Sequence, residues 1–269
     1  MKDFKNKNFL ITGASSGLGK ALAYKIAKEG GNILIGSRKR EILENIKEEI
    51  LSKYNVKVET FFLDVTDENS VKNFIFVALE SFDSIDCLIN NAGMGLYSKI
   101  EDVTKEDFQK LFDLNVKGIF FLTREVIPYM KKQGKGIIVN VSSLAGYVGT
   151  PYMSIYAATK FAVRGFTDSL RRELKPFRIK VIGVYPGPFE SNFFKNAINK
   201  IGAQNVSKNK LMWSNSEKVA EKIIEGIKKG KKNIYIKPLW KVIAKMHDNI
   251  PFLFDLFLSS NKYYKNFEN

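Results

Sequence analysis

Tyr156 and Lys160 stand four residues apart in Tyr156-Ala157-Ala158-Thr159-Lys160, and Ser143 closes the apolar run that precedes them. On a helix that spacing puts the phenol and the ammonium on one face. The three side chains together suit hydride transfer between a carbonyl and an alcohol. Reduction needs a proton at the oxygen, and oxidation needs a base to remove one. A phenol, with an ordinary pKa of about 10, is a poor base at neutral pH. A neighbouring ammonium and the positive ring of an oxidised nicotinamide favour phenolate and bring it towards working range. Ser143 can donate to the carbonyl oxygen and orient it, and Lys160 can also donate to the nicotinamide ribose. A tyrosine and a lysine at this spacing are common on helix surfaces. Their conjunction with Ser143 and with a nucleotide-binding turn is what carries the reading.

That turn is Thr12-Gly13-Ala14-Ser15-Ser16-Gly17-Leu18-Gly19. It follows an expected strand over 8–12 and opens an expected helix over 17–28. Glycines there let the backbone approach a pyrophosphate, while Ser15, Ser16 and Leu18 complete a helix start whose amides favour an anion. Gly13, Gly17 and Gly19 are spaced Gly-x3-Gly-x-Gly, unlike the Gly-x-Gly-x-x-Gly fingerprint. The second strand ends in Gly36-Ser37-Arg38-Lys39-Arg40. It has no carboxylate to hold a ribose hydroxyl, and Arg38 offers a charged fork for a 2′-phosphate, so NADP(H) is expected over NAD. Asp64-Val65 ends the third strand; Asp64 can accept from an adenine amino group or cap the next helix. Asn90-Asn91-Ala92-Gly93 ends the fourth, where Asn91, Ala92 and Gly93 leave room for a dinucleotide.

The elements that position these residues alternate. Strands are expected over 8–12, 32–36, 57–63, 86–90, 136–142 and 179–185, and helices over 17–28, 39–53, 67–82, 105–131 and 154–175. Such alternation argues for a doubly wound α/β domain, its mostly parallel sheet covered by helices on both faces. Every motif falls just after a strand, at the edge where such folds bind ligands. The length fits a single domain over 1–269.

In these positions the chain resembles the short-chain dehydrogenase/reductase family. The matching residues are Thr12-Gly13-x3-Gly17-x-Gly19, Asp64, Asn90-Asn91-Ala92-Gly93, Asn115, Ser143, Tyr156-x3-Lys160 and Pro186-Gly187, over 9–191 in the family's order. The resemblance implies a seven-stranded Rossmann sheet, a bound nicotinamide cofactor and tyrosine as general acid/base. It also implies that Asn115 keeps a water in a proton relay to Lys160; read by itself, Asn115 is a mid-helix polar residue. Pro186-Gly187-Pro188-Phe189-Glu190-Ser191 resembles the family's Pro-Gly-x-Val-x-Thr segment beside the nicotinamide. Phe189 replaces a small aliphatic residue there, and Ser191 keeps a hydroxyl for the carboxamide. Leu144 and Gly187, with Ser143 and Tyr156, are expected to meet substrate. Met94, Tyr147, Pro188 and Phe189 are expected to surround them as an apolar pocket for a hydrophobic ketone or alcohol. A lid is expected over 188–215. Substrate is a small carbonyl or alcohol; the alternatives are a 3-oxoacyl thioester or a cofactor-binding sensor without catalysis.

The C-terminal 238–269 departs from the ketoacyl-reductase branch and looks more like the hydroxysteroid-dehydrogenase branch. Its apolar residues, edged by Lys237, Lys241, Lys245 and Lys262, suit a subunit interface, an anionic membrane surface or burial on the domain. A homodimer or homotetramer is expected. Forty-three Lys and Arg against 28 Asp and Glu give a net charge of +15. The lysines are scattered through helical segments, so a solvated surface rather than nucleic-acid binding is expected. Cys87, the one cysteine, reads as a core residue, and His247 lacks a ligand cluster, so no metal is expected. With no signal-peptide pattern at 1–8 and no run of about 18 apolar residues, a cytoplasmic location is expected.

Overall fold

The computed structural model describes residues 1–190, 193, 197–201, 214–250, 252 and 255. Aliphatic runs form the main sheet: β1 (Asn8–Thr12), β2 (Asn32–Ser37), β3 (Val58–Phe62), β4 (Cys87–Asn90), β5 (Gly136–Val141), β6 (Ile179–Tyr185) and β7 (Asn233–Tyr235). β1, β4 and β5 are buried along their whole length, as strands covered on both faces must be. The order across the sheet is β7-β6-β5-β4-β1-β2-β3, and every neighbouring pair is parallel. The chain moves outward through β2 and β3, then returns to lay β4 against the other side of β1. This reversal opens a crevice at the C-terminal ends of β1 and β4.

The helices are α1 (Gly17–Lys28), α2 (Arg40–Leu51), α3 (Glu68–Ser81), α4 (Lys105–Phe112), α5 (Gly118–Gln133), α6 (Ser154–Glu173), α7 (Ser216–Lys228) and α8 (Pro238–Asn249). Strand side chains alternate between two cores. Ile11, Ile33, Ile35 and Ile89 meet Leu22 and Ile26 of α1, Ile46 of α2 and Ile223 of α7. Leu10, Leu34, Leu88 and Ile138 meet Phe74 of α3, Val126 of α5 and Leu170 of α6. Each such side chain contributes about 1.5–3 kcal/mol on burial. Cys87 is fully buried in the first core.

The single helix expected over 105–131 is interrupted. Asp113–Lys117 forms a π turn between α4 and α5, in which the Gly118 amide bonds the Asp113 carbonyl. The wider turn lets Asn115 point inward, where it is fully buried. Pro128 leaves α5 intact, and the helix stops at Gly134, whose φ of 67° suits a left-handed cap. Of the expected lid, Phe189–Glu190 pairs with Ser214–Asn215 and Ile198–Asn199 pairs with Leu96–Tyr97. Most of the remaining lid, including Ser191, and most of the segment past Ile250 lie outside the described residues.

Candidate active site

The glycine turn is bound to β4 by side chains. Thr12 Oγ1 accepts from the Asn91 and Ala92 amides at 3.0 Å each, and Asn91 Nδ2 donates to the Thr12 carbonyl at 2.9 Å. Gly13 has φ 67°, and a Cβ on it would lie 2.9 Å from Ala92 Cα. Only a bare glycine turns the chain there. Ser16, the residue before α1, makes no side-chain cap, which leaves the α1 amides to face the cleft. Gly19 does not line the cleft; a Cβ on it would meet the Gly13 carbonyl at 2.4 Å, so it serves helix–strand packing. Asn91 does line the cleft, but its amide is spent bracing the turn.

The cleft itself holds about 730 Å³ and runs along the sheet edge from Ser15, Ser16, Gly17 and Leu18 to Pro186, Gly187 and Phe189. Ser37 and Arg38 border it at the end of β2, with Lys39 beside them. Ser37 is buried and its hydroxyl accepts from the Lys39 amide, whereas Arg38 is exposed. Among the described lining residues Asp64 is the one carboxylate. Burial pushes its carboxyl up, but donors from the Thr66 hydroxyl and amide, with the Arg38 and Lys117 charges, hold it below its ordinary range. Asp64 does not cap α3. Asp67 does, accepting from the Asn69 and Ser70 amides.

The chemical end is built on β5 and α6. Ser143 follows β5 in extended conformation, and its hydroxyl accepts from the Ala145 amide at 3.1 Å. The Leu144 amide donates to the Pro186 carbonyl, which ties this turn to the end of β6. Ser142 Oγ donates to the Lys160 carbonyl at 2.9 Å and so fixes α6 against β5. Tyr156 and Lys160 project side by side from the buried face of α6, with Lys160 Nζ 5.7 Å from the phenol ring centre. Lys160 Nζ donates to the Val141 carbonyl at 3.2 Å. Burial pushes the Tyr156 phenol up to about 12, against the lowering effect of its hydrogen bond with Ser143. Burial pushes the Lys160 ammonium down to about 8. Burial is thus the leading cause at both groups, and at each it opposes the charged form.

Asn115 reaches this end from the π turn. Its Nδ2 donates to the Met94 carbonyl and to Thr159 Oγ1, and its Oδ1 accepts from the Met94 amide at 2.9 Å. A Cβ at Gly93 would fall 3.0 Å from Asn115 Oδ1 and 3.6 Å from Lys160 Nζ, so the glycine keeps a space between those two groups.

Met94, Leu144, Pro188 and Phe189 line the cleft as expected. Tyr147 does not. Its ring packs on Tyr185 at 4.8 Å, and its hydroxyl accepts from Tyr235 at 2.8 Å. Lys110, Met153, Trp240 and Ile243, unforeseen from the sequence, also line the cleft, as does Phe193 of the expected lid. Phe193 sits 5.7 Å from the Tyr156 ring, centre to centre. Met153, three residues before Tyr156, was findable from helical spacing. Trp240 was not, because nothing in 238–249 shows that it packs on Gly187, where a Cβ would lie 2.6 Å from the indole.

A glycine cradle, a sheet-edge cleft and an adjoining serine, tyrosine and lysine define a nicotinamide-dependent oxidoreductase. The short chain dehydrogenase model matches residues 7–202, and the chain belongs to that family. It is 39% identical over 197 residues to a 3-ketodihydrosphingosine reductase of Bacteroides thetaiotaomicron, covering 73% of this chain and 69% of that one. It is 40% identical over 198 residues to an NADP-dependent 3-hydroxy acid dehydrogenase of Schizosaccharomyces pombe, covering 72% and 75%. A short chain dehydrogenase/reductase of Burkholderia phymatum, solved with NAD, shares the fold with a TM-score of 0.83 at 24% identity, over 94% and 97% of the two chains.

Proposed function

We propose that the chain reduces an apolar ketone to a secondary alcohol with NADPH, and runs the reverse reaction with NADP. The observation that carries this reading is that Ser143, Tyr156 and Lys160 line the same cleft as the glycine turn, with Lys160 Nζ 5.7 Å from the centre of the Tyr156 ring. The nicotinamide supplies or accepts the hydride. Gly13, Ser15, Gly17 and the α1 amides would hold its pyrophosphate, Asp64 and Val65 its adenine, and Lys160 its ribose. Ser143 donates to the substrate oxygen and sets it against the phenol. Tyr156 delivers the proton to that oxygen in reduction and removes it in oxidation. A phenol held near 12 is fully protonated at neutral pH, which suits the donor role. Asn115, across the Gly93 space from Lys160, would hold a water there that returns a proton to Lys160.

The 2′-phosphate preference rests on Arg38 and Lys39, with no carboxylate at the end of β2. Met94, Leu144, Met153, Phe189 and Ile243 make the substrate end apolar, and the relative named 3-ketodihydrosphingosine reductase fits a ketone of that character. Titrating NADPH and NADH against wild type and Arg38→Ala tests the cofactor. NADPH affinity is expected to fall ~10-fold or more, as for loss of a charge-assisted contact, with little change for NADH. Equal losses would remove the phosphate role. Following NADPH absorbance over a panel of sterols, long-chain ketones, acyl thioesters and sugars then identifies the substrate class.

A further inference from the structure

Helix α8 carries two apolar faces, and the domain uses one. Trp240 and Ala244 are 1% and 0% exposed, and Ile243 joins Trp240 in lining the cleft. On the opposite side Leu239, Val242 and Met246 follow the i, i+3, i+7 spacing of a single stripe, and are 54%, 49% and 37% exposed. Lys241 and Lys245 stand exposed beside that stripe, one turn apart. Phe252, just beyond the helix, is also exposed. Among the described residues no helix is long and apolar enough to cross a membrane. At 12 residues, α8 is dimensioned to lie on a bilayer rather than span one.

We propose that α8 docks on the surface of an anionic lipid bilayer, and that the substrate is a ketone dissolved in that bilayer. The substrate half rests on the ketone-reductase reading above; the docking half does not. Charge separates a lipid surface from a second copy of this chain. Symmetric pairing through the stripe would bring Lys241 and Lys245 of one copy against those of the other, with Asp248 as the helix's single carboxylate. Anionic headgroups meet the same lysines favourably while acyl chains receive Leu239, Val242 and Met246. A net charge of +15 adds to that attraction. The geometry also links docking to catalysis. The inner face of α8 is a wall of the cleft, so docking its outer face sets that wall about 10 Å, one helix diameter, from the headgroups.

The test is flotation of the full chain with vesicles of phosphatidylcholine, alone or mixed with phosphatidylglycerol. Binding is expected on the mixed vesicles and is weakened by salt. The triple variant L239S/V242S/M246Q is expected to bind ~10-fold less or weaker still, since it removes the inserting surface. It should melt like wild type and reduce a small water-soluble ketone at the wild-type rate, yet lose rate on a long-chain ketone carried in mixed vesicles. Equal flotation of variant and wild type, or none on mixed vesicles, overturns docking. A dimer that disappears in the variant, without vesicle binding, assigns the stripe to a second copy instead. Vesicle binding by a chain that reduces neither ketone would keep the docking and sink the activity.

Discussion

At Tyr156 and Lys160 the protein places two ionisable groups where burial opposes the charge of each. Tyr156→Phe removes the proton donor but none of the glycine cradle, so turnover should fall ~100-fold or more while NADPH affinity holds. Residual activity near wild type in a stopped assay would remove the acid/base role. Lys160 gives a separate, activity-free signature. Its ammonium is held down to about 8 from an ordinary value of 10.5. Between those values the unfolded chain binds more protons than the folded one, so stability rises with pH. The slope is at most ~1.4 kcal/mol per pH unit, with the charge penalty fully present only below pH 8. Lys160→Met removes that dependence. Urea midpoints of wild type and variant should therefore converge as pH climbs from 8 to 10, and parallel curves would show that the lysine is not buried as described.

Elements decide how far apart such groups lie. The π turn at Asp113–Lys117 exists to turn one carboxamide inward, and Asn115 in return satisfies the buried Met94 amide and carbonyl. Asn115→Ala leaves those groups and Thr159 without that partner, at a cost of ~1–3 kcal/mol. Chemical denaturation measures it, and a neutral change would mean that water replaces the side chain. This is also the element that the sequence concealed. A run from Lys105 to Lys131 has continuous helical character, and nothing in its residue types marks the point where one turn widens. The strands, by contrast, were legible almost to their ends, because aliphatic runs bounded by glycines and polar residues have few other stable uses. The family resemblance implied a seventh strand without placing it, and the strand over Asn233–Tyr235 is too short to announce itself.

Over the whole molecule, the fold brings the C-terminal helix onto a cleft that the first two-thirds of the chain has already built. Trp240 fills the space above Gly187 and is 1% exposed. Trp240→Ala should destabilise by ~3–5 kcal/mol, as large aromatic deletions in cores do. It should also raise KM for a bulky substrate more than it alters NADPH binding. Calorimetry and steady-state kinetics read the two effects separately; an unchanged melting temperature would mean that α8 is not docked.

By itself the sequence determined the alternating α/β order, the glycine turn after the first strand and the setting of Tyr156 beside Lys160 on one helix face. Those properties live in local pattern: apolar runs, a glycine turn after a strand, and a helical spacing of four. Only the tertiary structure decided which residues close the site from a distance. Met94 meets Asn115 because a π turn aims it, Phe193 faces Tyr156 across the sheet edge, and Trp240 reaches Gly187 from far along the chain. Tyr147 turned away for the same reason, finding Tyr185 and Tyr235 in place of the cleft. Contacts of that kind depend on packing between elements remote in sequence, and no local spacing encodes them.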